Sequence, residues 1–297
     1  MSQKEDKETR RVFVGLASHS LGDNLAWLPQ VEEFRRLNQC DVDVHVSPRL
    51  RCLFNCTYPL LNFVSEVPDG ARGISIGCHT PNDTTKPVIQ IATDQLGLPY
   101  EEIKPKITLP TNLKNNFNKK YVCIATQSTA QCKYWNNPSG WKQTVDYLKV
   151  LGYEVVCIDR DGCFGVKDHW NHPPDNAIRK NDFKGNGDPE IPLTDRINDL
   201  YFCDFFIGLG SGLSWLAWAL EKPVVLISGF SPPSAEFYTP YRVINKNVCN
   251  SCWGDPDHPF DKGDWMWCPR HKDTSRHFEC SKEITFEMVK KQIDRLL

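Results

Sequence analysis

The chain has 297 residues, 40% of them hydrophobic and 24% charged, which excludes a disordered or fibrous polymer and, at roughly 150 residues per domain, leaves room for two cores. Lys and Arg number 35 against 37 Asp and Glu, a formal net charge of -2, so no global basic field draws in nucleic acid or anionic lipid, and a charged ligand must be met locally. No run of about 18 apolar residues occurs, and the N-terminus, MSQKEDKETRR, is polar where a signal peptide would be apolar; the expected location is the cytoplasm, with no membrane span.

The apolar run Arg11 to Ala17, the turn SHSLGD and the three-residue spacing of Leu25, Leu28, Val31 and Phe34 predict strand, turn and amphipathic helix. Asp41 to Ser47 alternates with period two, and Ala71 to Gly77 is a weaker strand. Between Tyr100 and Lys120 the periodicity stops, among prolines, asparagines and charges, as an interdomain linker would. A second series follows: strand Tyr121 to Thr129, helix Gly140 to Leu151, strand Tyr153 to Asp159, a polar loop from Gly162 to Pro192, strand Phe202 to Leu209, helix SWLAWAL and strand Pro223 to Ser228. Alternating strands and helices imply an α/β protein of two Rossmann-like, doubly wound domains facing across a cleft. The boundaries are set at residues 1–118 and 119–297, and chemistry is expected in the loops after the strands.

Three of those loops carry candidates. Asp23 stands where the first strand gives way to helix, as an N-cap or as a general base at the cleft. Lys133 is the only cation in ATQSTAQCKYWNNPSGW; it is either a solvated surface group or, beside Tyr134 and Trp135, a point charge for phosphate with an aromatic platform for a sugar or adenine. In GLGSGLSWLAWAL, Gly208, Gly210 and Gly212 let backbone approach a ligand at a helix N-terminus, and Ser211 and Ser214 add hydroxyls. No ribose-binding acid follows at the usual distance and no GK[ST] is present, which disfavours a nicotinamide enzyme and a P-loop NTPase.

Of 13 cysteines, Cys249, Cys252, Cys268 and Cys280 fall together in a polar finger over residues 245–282. A CxxC with two further cysteines suits a closed four-thiolate structural site for one iron or zinc, with His258, His271 and His277 as substitutes for one thiolate. Trp253, Trp265 and Trp267 in the same finger either pack it against its domain or form a partner surface.

LGDNLAWLPQVEEF, STAQCKYWNNPSGW, the GLGSGLSWLAWAL segment with KPVVLISGF and the four-cysteine finger together resemble the bacterial autotransporter heptosyltransferases. The resemblance implies a glycosyltransferase B fold, an ADP-heptose donor, serine hydroxyls of an autotransporter adhesin as acceptor, and one structural iron on Cys249, Cys252, Cys268 and Cys280, with zinc as the alternative. It implies Asp23 as catalytic base, Lys133 as the lysine on the donor phosphate or sugar, and Gly210, Ser211, Gly212, Leu213 and Ser214 as the donor-binding helix start. The first strand begins near Arg11, so the family's extra N-terminal domain, associated with ring-shaped assemblies, is not expected, and a homo-oligomer is left open. Relative to lipopolysaccharide heptosyltransferases, Gly210 and Trp215 replace an acid and a His of the donor loop. Other readings are a nucleotide-sugar transferase acting on a glycan or lipid, and a non-enzymatic interaction module.

Overall fold

The computed structural model describes residues 10–67, 73–179 and 192–297. The expected strand at Ala71 to Gly77 begins at Gly73, its first two residues lying outside the described ones, as do residues 180–191 of the expected polar loop and the first nine of the N-terminus.

The first sheet is parallel, in the order β3-β2-β1-β4, built from β1 (Arg11–Leu16), β2 (Asp41–His45), β3 (Leu61–Val64) and β4 (Gly73–Ile76). Helices α1 (Leu21–Asn38), α2 (Pro48–Phe54) and α3 (Val88–Leu96) belong to this half. The period-three residues of α1 are buried as a stripe. Irregular chain over residues 97–120 leads to the second half, tied to the turn after α2 through Thr108 N–H on Thr57 Oγ1 and to the second half through Lys114 N–H on Asn198 Oδ1.

The second sheet contains β5 (Tyr121–Ile124), β6 (Glu154–Cys157), β9 (Ile178–Arg179), β10 (Phe206–Leu209), β11 (Val224–Ile227) and β12 (Arg242–Val243), parallel in the order β12-β11-β10-β5-β6-β9. Its central strands are apolar at every position because helices cover both faces. Cys123, Val156, Phe206 and Leu226 join one buried layer; Ile124, Val155, Ile207 and Val225 join the other. Helices α4 (Gly140–Val150) and α8 (Phe286–Leu296) pack on the second layer. The expected polar loop contains an antiparallel hairpin, β7 (Phe164–Val166) with β8 (His169–Asn171), and then β9. Phe202 closes α5 (Leu193–Phe202), so the strand expected from that residue starts only at Phe206. A short α7 (Glu279–Lys282) ends the cysteine finger.

The halves meet on α6 (Gly212–Ala219), whose sequence GLSWLAWA is apolar nearly all round because it lies between the second sheet and α1. One buried cluster runs from Val14 and Leu25 through Leu216 to Leu226, closing one wall of the cleft. The close approach depends on glycine. A Cβ on Gly212 would stand 2.7 Å from Leu21 Cβ and 3.2 Å from Gly22 N, and one on Gly22 would stand 3.1 Å from Trp215 Cδ1. Gly212→Ala is therefore expected to push the two helix starts apart and cost about 1–3 kcal/mol, read as a lower urea midpoint with an unchanged slope. No helix among the described residues is long and apolar enough to cross a membrane.

Candidate active site at the cleft between the two sheets

A cavity of about 520 Å³ lies between the halves. From the first half it is lined by the start of α1 (Ser20 to Asp23), by Arg49 of α2 and by Val88; from the second, by the loops after β5, β6, β10 and β11. Parallel strands of both sheets aim their carboxyl ends at it, which is where open α/β sheets bind ligands.

Asp23 is in the first turn of α1; the residue in the N-cap position is Ser20, so the capping reading of Asp23 does not hold. Its carboxylate Oδ2 accepts a hydrogen bond from Ser18 Oγ at 2.6 Å, and the Ser20 N–H donates to that same Ser18 oxygen at 3.1 Å. The turn is locked beneath by fully buried Asn24, whose Nδ2 donates to the carbonyls of Ser18 and Ser20 at 2.9 and 2.8 Å. An acid held in one rotamer at the mouth of a cavity, half-buried and beside a helix N-terminus, is arranged to accept a proton from a hydroxyl placed there.

Lys133 ends a 3-10 turn, Gln131–Lys133, after β5. Its ammonium stands 5.9 Å from the ring centroids of both Phe230 and Phe260, and among the described residues no carboxylate pairs with it. The aromatic platform expected from its neighbours is corrected. Tyr134 and Trp135 are 4% exposed and turn into the core, Tyr134 OH donating to the Ser128 carbonyl and Trp135 Nε1 to that of Ile284; of the rings beside the lysine, Phe230 lines the cavity. Burial pushes the Cys78 thiol up, with Lys262 and Lys133 pulling it down and Asp23 and Asp83 pushing it up.

At the start of α6, Gly210, Ser211, Gly212 and Leu213 line the cavity with the helix N-terminus open to it. Ser214 does not join them: it is fully buried and its hydroxyl donates to the Leu209 carbonyl at 2.5 Å. Gly208 sits inside β10, where a Cβ would meet the Phe206 ring at 2.5 Å, so it serves packing rather than a ligand.

Several cavity residues carry no local sequence signal. Asp159, after β6, accepts both the Thr126 N–H and hydroxyl and the Gln127 N–H, at 2.6–3.1 Å, which fixes the β5 loop. Burial pushes its carboxyl up, and those donors pull the other way. Arg196 donates to the Asp159 carbonyl and pairs with Asp199, both deeply buried. Asp161 pairs with Arg160 at 2.9 Å. Glu236, 9% exposed, pairs with Arg242 at 3.0 Å.

No disulfide joins any of the 13 cysteines. Cys252 is pushed up to about 12, first by burial and then by Cys249 and Cys268; Cys280 is raised by burial and by Cys252, Cys268, Cys132 and Cys249. The four finger cysteines are thus electrostatic neighbours, a donor set that a cation would neutralise. Among the described residues, the group whose donor atoms all lie within 4.8 Å of one another is Cys249, His271 and Glu279. Glu279 is held down at about 2, chiefly by Arg276. The finger tryptophans are used internally: Trp267 packs edge-on to Phe230, Trp265 against Tyr134 and Phe164, and Trp253 Nε1 donates to the Lys86 carbonyl across the cleft. That spends the aromatic surface an interaction module would offer.

Two parallel α/β sheets whose strand ends open on one cavity, with a helix N-terminus on one side of it and an acid on the other, have the arrangement of a glycosyltransferase. Residues 80–262 match glycosyltransferase family 9 (heptosyltransferase). The autotransporter heptosyltransferases TibC of Escherichia coli O78:H11 and BAHTCr of Citrobacter rodentium are each 42% identical over 97% of this chain and 71% of their own length. BimC of Burkholderia thailandensis, described as an inactive autotransporter heptosyltransferase, is 34% identical over 97% of this chain and 69% of its own. The crystal structure of TibC, an iron-containing dodecameric glycosyltransferase, superposes with a TM-score of 0.90 at 40% identity, over 97% of this chain and 76% of that one. Its complex with ADP-D-beta-D-heptose gives 0.89. The chain belongs to the autotransporter heptosyltransferases of glycosyltransferase family 9.

Proposed function

We propose that the chain transfers a heptose from ADP-heptose to serine hydroxyls of a bacterial autotransporter adhesin, in the cytoplasm. Residues 1–118 form the acceptor side, and residues 119–297, with the finger at 245–282, form the donor side. The observation that carries this is the convergence of Asp23 and Lys133, from opposite halves, on one cavity into which α6 opens. Donor diphosphate lies over the N–H groups of Gly212 and Leu213, beside the Ser211 hydroxyl, and Lys133 offsets the charge that grows on the leaving ADP. Asp23 takes the proton of the acceptor serine as its oxygen attacks the anomeric carbon, while the domain walls exclude water that would hydrolyse the donor. The TibC complex with ADP-D-beta-D-heptose supports the donor, and its dodecameric state supports self-association of this chain.

The test is incubation of the purified protein with ADP-heptose and a serine-rich adhesin fragment, followed by intact mass analysis. A heptose-sized increment on the fragment is the expected result. Donor binding without an increment would leave the fold and the donor but overturn the acceptor.

One iron, with zinc as the alternative, is held in this reading by Cys249, Cys252, Cys268 and Cys280 as a closed structural site, supported by the iron-containing TibC structure and by the mutual influence of the four thiols. Bound there, it would supply folding free energy to a segment poor in apolar residues. Elemental analysis is expected to find about one metal per chain, lost in Cys252→Ser and kept in His271→Ala. Loss in His271→Ala with retention in Cys252→Ser would move the site to Cys249, His271 and Glu279.

A further inference from the structure

Four carboxylates line the cavity: Asp159 accepts on both oxygens from Thr126 and Gln127, Asp161 on both from Arg160, and Asp23 on one from the Ser18 hydroxyl. Glu236 is likewise engaged on one oxygen only, by a charged partner. Among the described residues its one hydrogen-bond donor is Arg242, whose Nη1 bonds Oε2 at 3.0 Å. Oε1 is left without a donor, and it is the atom nearest the start of α6: a Cβ built on Gly210 would lie 2.0 Å from it. The Glu236 carboxylate therefore fills the space that any side chain at position 210 would occupy, and Gly210 is required for it to reach there.

A carboxylate can only accept, so a group that satisfies it must be a donor, and on ADP-heptose the donors are the sugar hydroxyls and the adenine amino group, the latter carried by ADP as well. Two sugars flank the diphosphate, the ribose and the transferred sugar. Glu236 lies in the chain that leaves β11, as do Phe230 and Ser231, and Phe230 is one of the two rings beside the Lys133 ammonium. The loops after β6, which also line the cavity, lie across β10 and β5 from it in the sheet. Glu236 thus belongs to the loop that flanks Lys133, apart from the loops after β6.

Resting on the heptosyl-transfer reading above, we propose that Glu236 is a specificity-determining residue for the transferred sugar: Arg242 fixes its rotamer, and Oε1 accepts hydrogen bonds from hydroxyls of the donor sugar beside the α6 N-terminus. A hydrogen bond to a charged acceptor discriminates strongly, since its loss leaves a partly buried polar group unpaired.

Calorimetric titration of ADP-heptose and of ADP into the unmutated chain and Glu236→Gln tests this, because ADP carries the ribose but not the transferred sugar. Glu236→Gln keeps the shape and an acceptor for Arg242 but removes the countercharge of a buried pair, so the thermal midpoint is expected to fall and both ligands are titrated well below it. ADP-heptose affinity is expected to fall about 10- to 100-fold while ADP affinity stays within about twofold. The double variant Glu236→Ala with Gly210→Asp, which returns a carboxylate to the same space from the other residue, is expected to recover most of the ADP-heptose affinity lost in Glu236→Ala. Equal weakening of both ligands would assign Glu236 to the ribose or to structure, and unchanged ADP-heptose affinity would remove it from the donor site; either overturns the proposal. Failure of the unmutated chain to bind ADP-heptose would instead overturn the heptosyl-transfer reading on which it rests.

Discussion

Asp23→Asn is expected to lower the rate of serine heptosylation by about 100- to 10,000-fold while ADP-heptose binding changes by less than about threefold. The substitution is close to isosteric, and its amide oxygen can still accept the 2.6 Å hydrogen bond from Ser18 Oγ, so the turn before α1 keeps its shape. Asn24, which clamps that turn through the carbonyls of Ser18 and Ser20, is untouched. What is lost is the capacity to take a proton, a demand that arises only as the acceptor oxygen attacks. Single-turnover transfer measured beside calorimetric donor binding separates the cases. Loss of donor affinity together with thermal stability would make Asp23 a structural group of the helix start.

The strands that build the cleft were legible because both faces of each are buried: Val122 to Ile124, Phe206 to Leu209 and Val224 to Ile227 read as unbroken apolar runs. The edge strands β9 and β12, two residues each, leave no periodic trace. Helix α8 did leave one, Val289 and Ile293 four apart and fully buried, in a stretch overshadowed by the cysteines before it. Asp23, Lys133 and the glycines of the α6 start were legible because a turn between strand and helix makes few demands on side chains, so chemistry-bearing residues stand out there. What could not be read was direction. Tyr134 and Trp135 adjoin Lys133 in the chain, yet burial of a large apolar surface draws both into the core, and the rings that flank the lysine come from residues about a hundred and more positions later. Ser214 looks like a ligand-binding hydroxyl until its position inside the first turn of a buried helix is known, where the Leu209 carbonyl takes it. Glu236 is invisible for a similar reason: only the approach of the β11 loop to Gly210 gives it a place in the cavity.

Lys133→Ala is expected to behave differently from Asp23→Asn, raising KM for ADP-heptose and lowering kcat together, with a combined loss in kcat/KM of about 100- to 1,000-fold. The diphosphate is negative in the ground state and more so as the glycosidic bond breaks, so a cation beside it contributes before and during the reaction. Its setting strengthens the effect. Lys133 has no carboxylate partner among the described residues, and the rings of Phe230 and Phe260 at 5.9 Å limit access of water to it. The turn that carries it leans on the cysteine finger: Gln131 N–H donates to the Trp265 carbonyl at 3.0 Å, and Ala130 and Cys132 pack in one cluster with Cys252 and Trp267. Cys252→Ser, by loosening that support, is accordingly expected to reproduce the rise in KM in milder form, whereas Asp23→Asn leaves KM unmoved. Steady-state kinetics on the three variants with varied ADP-heptose would show this ordering. Unchanged KM and kcat in Lys133→Ala would take the lysine out of the donor site, and with it the link between the finger and catalysis.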